Sequence, residues 1–496
     1  MSILFILLVL PLVGAVAAGY GKNVRKISIL CATAMLALVI YLMANYDRGN
    51  QDLLGYAYKG SVELVKAPQV ALAVGVDGLG LLMILLTALV TFAAMWNIDE
   101  SKAKMIVVAS WLISAGAMGA FISMDVLMMY AFHELALIPT LLVLALCGLG
   151  EKGGNRRAAW RMTLYLGFGS MILLAGILVL VFGLSDDTVT FNLAELTSRA
   201  KLMKLNSGEQ AMIYGLLLVG FGTLVSLFPF HGWAAEAYAK SPTPVAMLHS
   251  GVLKKFGLYG MIKLGAPLLP NALEVNWLMN AFLLMIVGNL LVIGWVTMTR
   301  RRLDDILANS SVMHMGYIFL GIAANNELAL RGAVLLMFAH GISIALMFGL
   351  AGRMNSQLGT LELNKLGGLG SHSPATMVLF AFGAFASIGL PGLANFAGEV
   401  MVFFGAFAEM KWGEWQSLHT VTVIALWGVV VSAVYMLRAY RKIFQGTANG
   451  ELVMKDGELR HRVGYVVLAA VLLIVGVCPW LLLEFLGKAF LTVIKH

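Results

Sequence analysis

The sequence predicts an all-α integral membrane protein of about fourteen transmembrane helices, with two inverted five-helix repeats in which helices 7 and 12 are broken. Three observations predict this. Of the 496 residues, 60% are hydrophobic and only 12% are charged, against about 25% charged in a soluble domain. Apolar runs of eighteen or more residues recur from end to end, each able to cross a hydrocarbon core of roughly 30 Å. Finally, proline interrupts two of these runs at matching places.

The runs fall at 2–20, 27–45, 77–96, 104–123, 126–148, 158–183, 209–232, 242–264, 277–298, 304–323, 328–351, 372–410, 418–437 and 464–486. The first has no basic region ahead of it and no small-residue cleavage site after it, so it reads as a retained span. Residues 1–103 hold three N-terminal helices, 104–264 the first repeat, 277–442 the second, and 443–496 a cytoplasmic loop and the last helix. The longest polar interruptions, 46–76, 184–208 and 443–463, are too short for a separate domain. Within the last, the mixed-charge stretch from Glu451 to Arg462 reads as a solvated loop able to touch a partner.

The net charge of +8 follows membrane topology rather than nucleic-acid binding. Basic residues cluster after odd-numbered spans, as in Lys22/Arg25/Lys26, Lys152/Arg156/Arg157/Arg161, Arg300/Arg301/Arg302 and Arg438/Arg441/Lys442/Lys455/Arg460/Arg462. The positive-inside rule puts those loops in the cytoplasm and both termini on the other side, here of a cell inner (plasma) membrane. Cys31, Cys147 and Cys478 each stand alone in apolar surroundings, without the paired spacing of a zinc or iron–sulfur site, and read as packing residues.

Span seven contains Ser226-Leu227-Phe228-Pro229-Phe230-His231-Gly232, and span twelve contains Gly389-Leu390-Pro391-Gly392-Leu393-Ala394-Asn395. Proline removes an amide donor and clashes one turn back. In lipid the freed carbonyls need partners, so such breaks persist where they line a polar cavity. With spans 4–8 and 9–13 as repeats, Pro229 and Pro391 both fall on the fourth helix of their repeat. Interrupted helices in corresponding positions point to a transport site.

Charge at the bilayer centre costs about 2.5–3.5 kcal/mol on insertion scales, so buried ionisable residues there are functional candidates. Glu134 lies mid-span in Tyr130-Ala131-Phe132-His133-Glu134-Leu135. Lys255 follows Lys254 in span eight with no acidic residue within four positions. A desolvated lysine can exchange protons near neutrality, whereas Lys254 and Lys263 suit snorkelling to the interface. Glu399 sits eight residues past the Pro391 break, before an apolar run, and should face the interior. His314 shares a helix face with Ser310 and Ser311, His340 has Ser343 one turn on, and His249 and His231 lie near the broken seventh helix. Imidazole can both accept and donate a proton near pH 6.5.

Two motifs are set aside. Gly148-Leu149-Gly150-Glu151-Lys152-Gly153 matches G-x-G-x-x-G but follows a membrane helix rather than a strand. Asn309-Ser310-Ser311 matches a glycosylation sequon at the start of a span. No Walker A loop, haem or cluster ligation, or hydrolase motif is found. Moving a proton against about 150 mV needs roughly 3–4 kcal/mol, so a partner must supply it or the chain runs downhill.

The motifs Phe132-His133-Glu134-Leu135, Pro229-Phe230-His231-Gly232-Trp233, Leu253 through Gly260, Ser311 through Gly316, Ala339-His340-Gly341 and Leu390 through Glu399 resemble the antiporter-like membrane subunits of respiratory complex I. The likeness spans nearly the whole chain and is to the subunit M, or chain 4, type. The length argues against the L type, and glutamate rather than lysine at 399 favours M over the N type. The resemblance implies a proton-translocating subunit driven by quinone reduction in neighbouring subunits. It implies no cofactor in this chain; NADH, FMN, iron–sulfur clusters and quinone are expected in partner subunits, with L-type and N-type neighbours. It places Glu134 at the family's fifth-helix glutamate, Lys255 at its eighth-helix lysine and Glu399 at its twelfth-helix protonatable residue, with His314 and His340 between them.

The chain departs from that pattern at Leu224, where the family carries a lysine that pairs with the fifth-helix glutamate. Lys255, Lys254, Lys240 or His249 are the expected substitutes, the first two ahead of Lys240. Asp304 and Asp305 stand where relatives tend to carry basic residues, and His249 resembles the L type. Two other readings follow: the same role in a ferredoxin- or hydrogenase-driven relative, and a scaffold that has lost pumping.

Overall fold

The computed structural model describes residues 2–21, 23–46, 55–98, 104–150, 152–185, 188–202, 205–408, 415–446, 454–457 and 462–487. Of the mixed-charge stretch from Glu451 to Arg462, only 454–457 and Arg462 fall among them.

Two helices, α1 (Ile3–Tyr20) and α2 (Val24–Ala44), precede a hairpin of β1 (Ala57–Val65) and β2 (Val70–Val76). The strands pair antiparallel from Ala57↔Val76 to Val65↔Val70. This hairpin corrects the all-α expectation. It occupies a segment that reads as a polar interruption, and its pairing is completed from outside: Val74 bridges Ser123, and the Ala71 amide donates to the Asp125 carboxylate at 3.2 Å.

Next come α3 (Gly78–Trp96), α4 (Lys104–Ile122), α5 (Val126–Cys147), α6 (Lys152–Gly183), a short α7 (Leu193–Leu202) and α8 (Ser207–Val225). Asp77 caps α3 through the Gly80 amide and Asp125 caps α5 through the Met128 amide, each satisfying an otherwise orphaned donor. The G-x-G-x-x-G stretch is closed by its own neighbour: Asn155 donates to the Gly148 carbonyl at 2.8 Å and accepts from the Gly150 amide at 3.1 Å.

The first break separates α8 from α9 (Ala234–Lys240). Ser226 adopts a left-handed conformation with φ of 69°. The groups freed there find partners: the Trp233 indole donates to the Thr223 carbonyl at 3.0 Å, and the Phe228 amide donates to Asn289 Oδ1 at 2.6 Å. Asn289 also donates to the Val312 carbonyl at 2.9 Å, tying the break to two later helices.

Span eight is not one α-helix. It runs as α10 (Thr243–Leu248), a π-turn at His249–Leu253, α11 (Lys255–Gly260), a second π-turn at Met261–Gly265, and α12 (Ala266–Leu268). Span nine, α13 (Asn276–Val287) and α14 (Gly294–Thr299), is likewise joined by a π-turn at Gly288–Ile293. Then follow α15 (Leu303–Ala324), α16 (Glu327–Leu358), α17 (Pro374–Ile388), α18 (Ala394–Phe407), α19 (Ser417–Phe444), α20 (Val463–Val477) and α21 (Trp480–Leu483). Gly389, with φ of 81°, ends α17 at the second break.

Among the described residues eleven helices are long and apolar enough to cross a membrane, or twelve with the bent pair at the C-terminal end. Spans eight and twelve of the sequence reading correspond to interrupted helices instead. α3, α15 and α16 are buried throughout their most apolar stretch, so they form the axis around which the others stand. A helix apolar all round belongs in such a place, and polar side chains on these three are shielded from lipid.

Candidate functional site

The two adjacent lysines of span eight lie at the centre of the molecule. The π-turn at His249–Leu253 leaves the Ser250 carbonyl available, and the Lys255 ammonium donates to it at 2.9 Å. The same nitrogen lies 2.9 Å from Nδ1 of His340 on α16. Lys254 does not snorkel as expected. It is 1% exposed, donates to the Ser311 carbonyl of α15 at 3.1 Å and contacts its hydroxyl at 3.4 Å. Its ammonium also stands 5.4 Å from the centre of the Tyr238 ring, a cation–π distance. Among the described residues neither lysine has a carboxylate partner. Burying an ion without one is costly, so their carbonyl, hydroxyl and imidazole partners are what each lysine has to offset that cost.

The row continues onto α16 and α15. The His340 and His314 rings are 5.6 Å apart. Both nitrogens of His314 face carbonyl oxygens: Nδ1 that of Ser310 and Nε2 that of Ser387, each at 2.7 Å. Carbonyls only accept, so a neutral ring satisfies one of them and a protonated ring both. The Ser387 carbonyl belongs to the last turn of α17, so this contact joins the histidines to the second break. The Ser310 hydroxyl meets the Tyr435 hydroxyl of α19 at 2.8 Å, and Tyr435 and Tyr317 both lie within electrostatic reach of Glu399.

Glu399 is 3% exposed on α18, and its carboxylate folds back onto the break. A Cβ at Gly389 would sit 2.2 Å from Oε2 of Glu399. Two constraints therefore select glycine here, the positive φ and the carboxylate against its Cα. One turn before Glu399, Asn395 is fully buried with neither amide atom bonded to protein.

The surroundings of Glu134 are arranged differently from expectation. Glu134 forms no ion pair with Lys254, Lys255 or Lys240 among the described residues. Lys240 pairs with Glu236 at 2.7 Å, and the two central lysines point to α15 and α16. The nearest group to Glu134 is its chain neighbour, His133 Nδ1, at 3.4 Å. The reason lies in helix phase. On α5, Leu135, Ile138, Leu142 and Leu146 form the exposed stripe, and Glu134 borders it with its side chain 32% exposed, whereas His133 points inward at 2%. Leu224 is 3% exposed and belongs to the apolar core.

His133 is the residue of the two that turns inward. It stacks on Phe256 at 4.1 Å, directly after Lys255 in sequence. His249, 2% exposed, lies between the Trp233 and Tyr238 rings at 5.5 and 5.2 Å. His231 stacks on Phe228 at the first break, 5.4 Å away. The Nδ1 atoms of His231 and His249 and the hydroxyls of Tyr238 and Tyr317 are buried without a protein partner. Polar atoms in this state are what a file of water molecules requires.

Of the residues the sequence singles out, Lys255, His340 and His314 stand in contact and Glu399 is buried on α18; His133, Ser250, Tyr238, Tyr435 and Asn395 were not singled out as site residues. The signal for His133 was available, since it adjoins Glu134 in the quoted motif. Asp304, where relatives tend to be basic, pairs with Arg302 at 2.7 Å at the end of α15. No group of three or more His, Cys, Asp or Glu able to hold a metal occurs among the described residues.

Residues 123–426 match the family model described as NADH:quinone oxidoreductase/Mrp antiporter, TM. The chain is 34% identical to NAD(P)H-quinone oxidoreductase chain 4 2 of Microcystis aeruginosa over 440 residues, covering 86% of this chain and 76% of the relative. Among solved structures it superimposes on a chain of respiratory complex I from Thermus thermophilus with a TM-score of 0.87, at 26% identity and full coverage of both chains. The fold is shared with a chain of the Mrp complex of Dietzia sp., with a TM-score of 0.84 at 20% identity, covering 100% of this chain and 98% of that one.

Proposed function

The chain belongs to the NADH:quinone oxidoreductase/Mrp antiporter family of membrane proteins, and from that premise we propose how it moves protons. It is a multi-span, proton-translocating membrane subunit of an NADH:quinone oxidoreductase. One observation carries the mechanism: buried titratable side chains form a row through span eight, α16 and α15 toward α18, with no fixed lysine–carboxylate pair along it. Lys255 holds the central proton and exchanges it with His340. His314 receives it between two carbonyls, and the Ser310–Tyr435 contact leads toward Glu399. Glu134, His133 and His249 serve the approach from the first repeat, with Lys254 at its inner end.

In this reading the chain has fourteen spans in two inverted five-helix repeats, broken at Pro229 and Pro391, with both termini away from the cytoplasm of the inner membrane. Electron carriers reside in partner subunits, with L-type and N-type chains on either side. Reduction there supplies the free energy that this row turns into proton movement.

The test is the proton-to-electron ratio of the assembled complex in vesicles. Glu399→Gln preserves volume and removes titration, and Lys255→Met removes the central site; each should abolish this subunit's contribution while electron transfer continues. A wild-type ratio in both variants refutes the assignment. The second reading, a scaffold without pumping, is favoured by Leu224 and by the lack, among the described residues, of a lysine or arginine paired with Glu134, and it predicts that wild-type ratio.

A further inference from the structure

Lys263 takes no part in the row just described, yet it is held as firmly as any charge in the molecule. Its ammonium lies 2.5 Å from Oδ2 of Asp77, the residue that caps α3, and 3.2 Å from the Tyr56 hydroxyl at the base of the hairpin. Among the described residues this is the ion pair with both side chains nearly out of solvent, at 9% and 12% exposure. Lys263 sits in the second π-turn, Met261–Gly265, a deviation that often marks functional positions in helices. Tyr259 is spaced four residues from Lys255 and four from Lys263. Within α11 that spacing puts Lys255 and Tyr259 on one helix face, and the approach of the Lys263 ammonium to the Tyr259 ring carries the row into the second π-turn. Tyr259 is buried, donates to the Phe121 carbonyl at 3.2 Å, and has its ring 5.7 Å from the Lys263 ammonium. The row ends at Tyr56, beside the first strand of the hairpin.

We propose that Asp77 and Lys263 form a charge latch closing a proton outlet that runs from Lys255 past Tyr259 to the hairpin face. This rests on the proton-translocating reading above and adds to it the exit and its gate. At rest the carboxylate and ammonium are paired and the outlet is shut. A proton leaving the Lys255 ammonium, which becomes an amine, crosses about 12 Å along the helix by way of the Tyr259 hydroxyl and water. It binds the Asp77 carboxylate, which as a neutral acid releases Lys263. Loss of that proton to the aqueous phase restores the carboxylate and re-forms the pair. No proton or electron is unaccounted for.

Asp77→Asn makes a clean test because asparagine caps helices as well as aspartate does, so the Gly80 contact at 2.9 Å survives while the charge goes. In complex reconstituted into vesicles, the resting passive proton leak under an imposed potential should rise about tenfold, a shift of about 1.4 kcal/mol in the closed–open balance. The proton-to-electron ratio should fall. Lys263→Gln should do the same. Tyr259→Phe removes one hydroxyl, leaves the pair intact and is expected to assemble whatever the other two do; it should lower the ratio without raising the leak. A wild-type ratio in Tyr259→Phe, or a wild-type leak in either charge variant that assembles, overturns the latch. Failure of the underlying reading is separately visible, since Lys255→Met would then leave the ratio unchanged.

Discussion

Gly389→Ala should uncouple proton movement far more than Gly392→Ala does, although both glycines lie in the same break. Gly389 has φ of 81° and Gly392 has φ of 91°, so alanine at either is strained by about 1–2 kcal/mol. The surroundings differ. Around Gly392 nothing lies within 4 Å of the added carbon, whereas at Gly389 it would sit 2.2 Å from Oε2 of Glu399. Ordinary contact is about 3.5–4.0 Å between carbons, so the carboxylate must retreat by more than roughly 1 Å. Displacements of that size in a reacting geometry can cost about a hundredfold in rate. The assay is the proton-to-electron ratio and rate of the assembled complex, normalised to its amount in the membrane. The Gly392 variant carries the backbone strain alone and calibrates it. Equal ratios in the two variants would refute the claim that the position of Glu399 at the break matters for transfer.

Two further substitutions test the first repeat and the loop. Leu224→Lys should lower the assembled amount and leave pumping no higher, because it puts a cation at a buried position of the apolar core and an unpaired buried charge costs several kcal/mol; a gain in the ratio would show that the Glu134 side lacks only that lysine. Asp456→Ala should free residues 454–457 from α17, at a cost of about 1 kcal/mol for a lost cap, read as faster amide exchange at Ala375 and Thr376. Burial works against the Asp456 charge, but the Ala375 amide and the Thr376 hydroxyl and amide outweigh it and hold the carboxyl below its ordinary value. Its stabilising contribution is therefore complete above about pH 4 and fades as pH falls through the depressed value; protection unchanged between neutral and strongly acid pH would contradict this.

Much of this architecture was legible because hydropathy over twenty residues is a strong signal in a chain with no competing soluble domain. Glu399 could be assigned an interior position from cost alone, since Val-Met-Val-Phe-Phe follows it and lipid exposure would be expensive. The hairpin was not legible. Val70–Val76 is a short apolar strand whose edge is satisfied by Ala71 bonding to Asp125, more than fifty residues away, and no local pattern announces so distant a partner.

The central lysines show where sequence reasoning gives out. On a regular helix, neighbouring residues diverge by about 100°, so Lys254 and Lys255 should not both be buried unless the whole span is enclosed. Sequence reasoning therefore assigned one to the interior and the other to the interface. Both are inside, because span eight lies against α3, α4 and α16. The π-turn ahead of them also spares the Ser250 carbonyl to receive one ammonium, while the other reaches Ser311. Neither a π-turn nor its phase shift follows from residue spacing. Yet with that turn in place Lys255 faces His340 on α16 while Lys254 faces Ser311 on α15, so span eight is tied to two later helices through a pair of adjacent lysines.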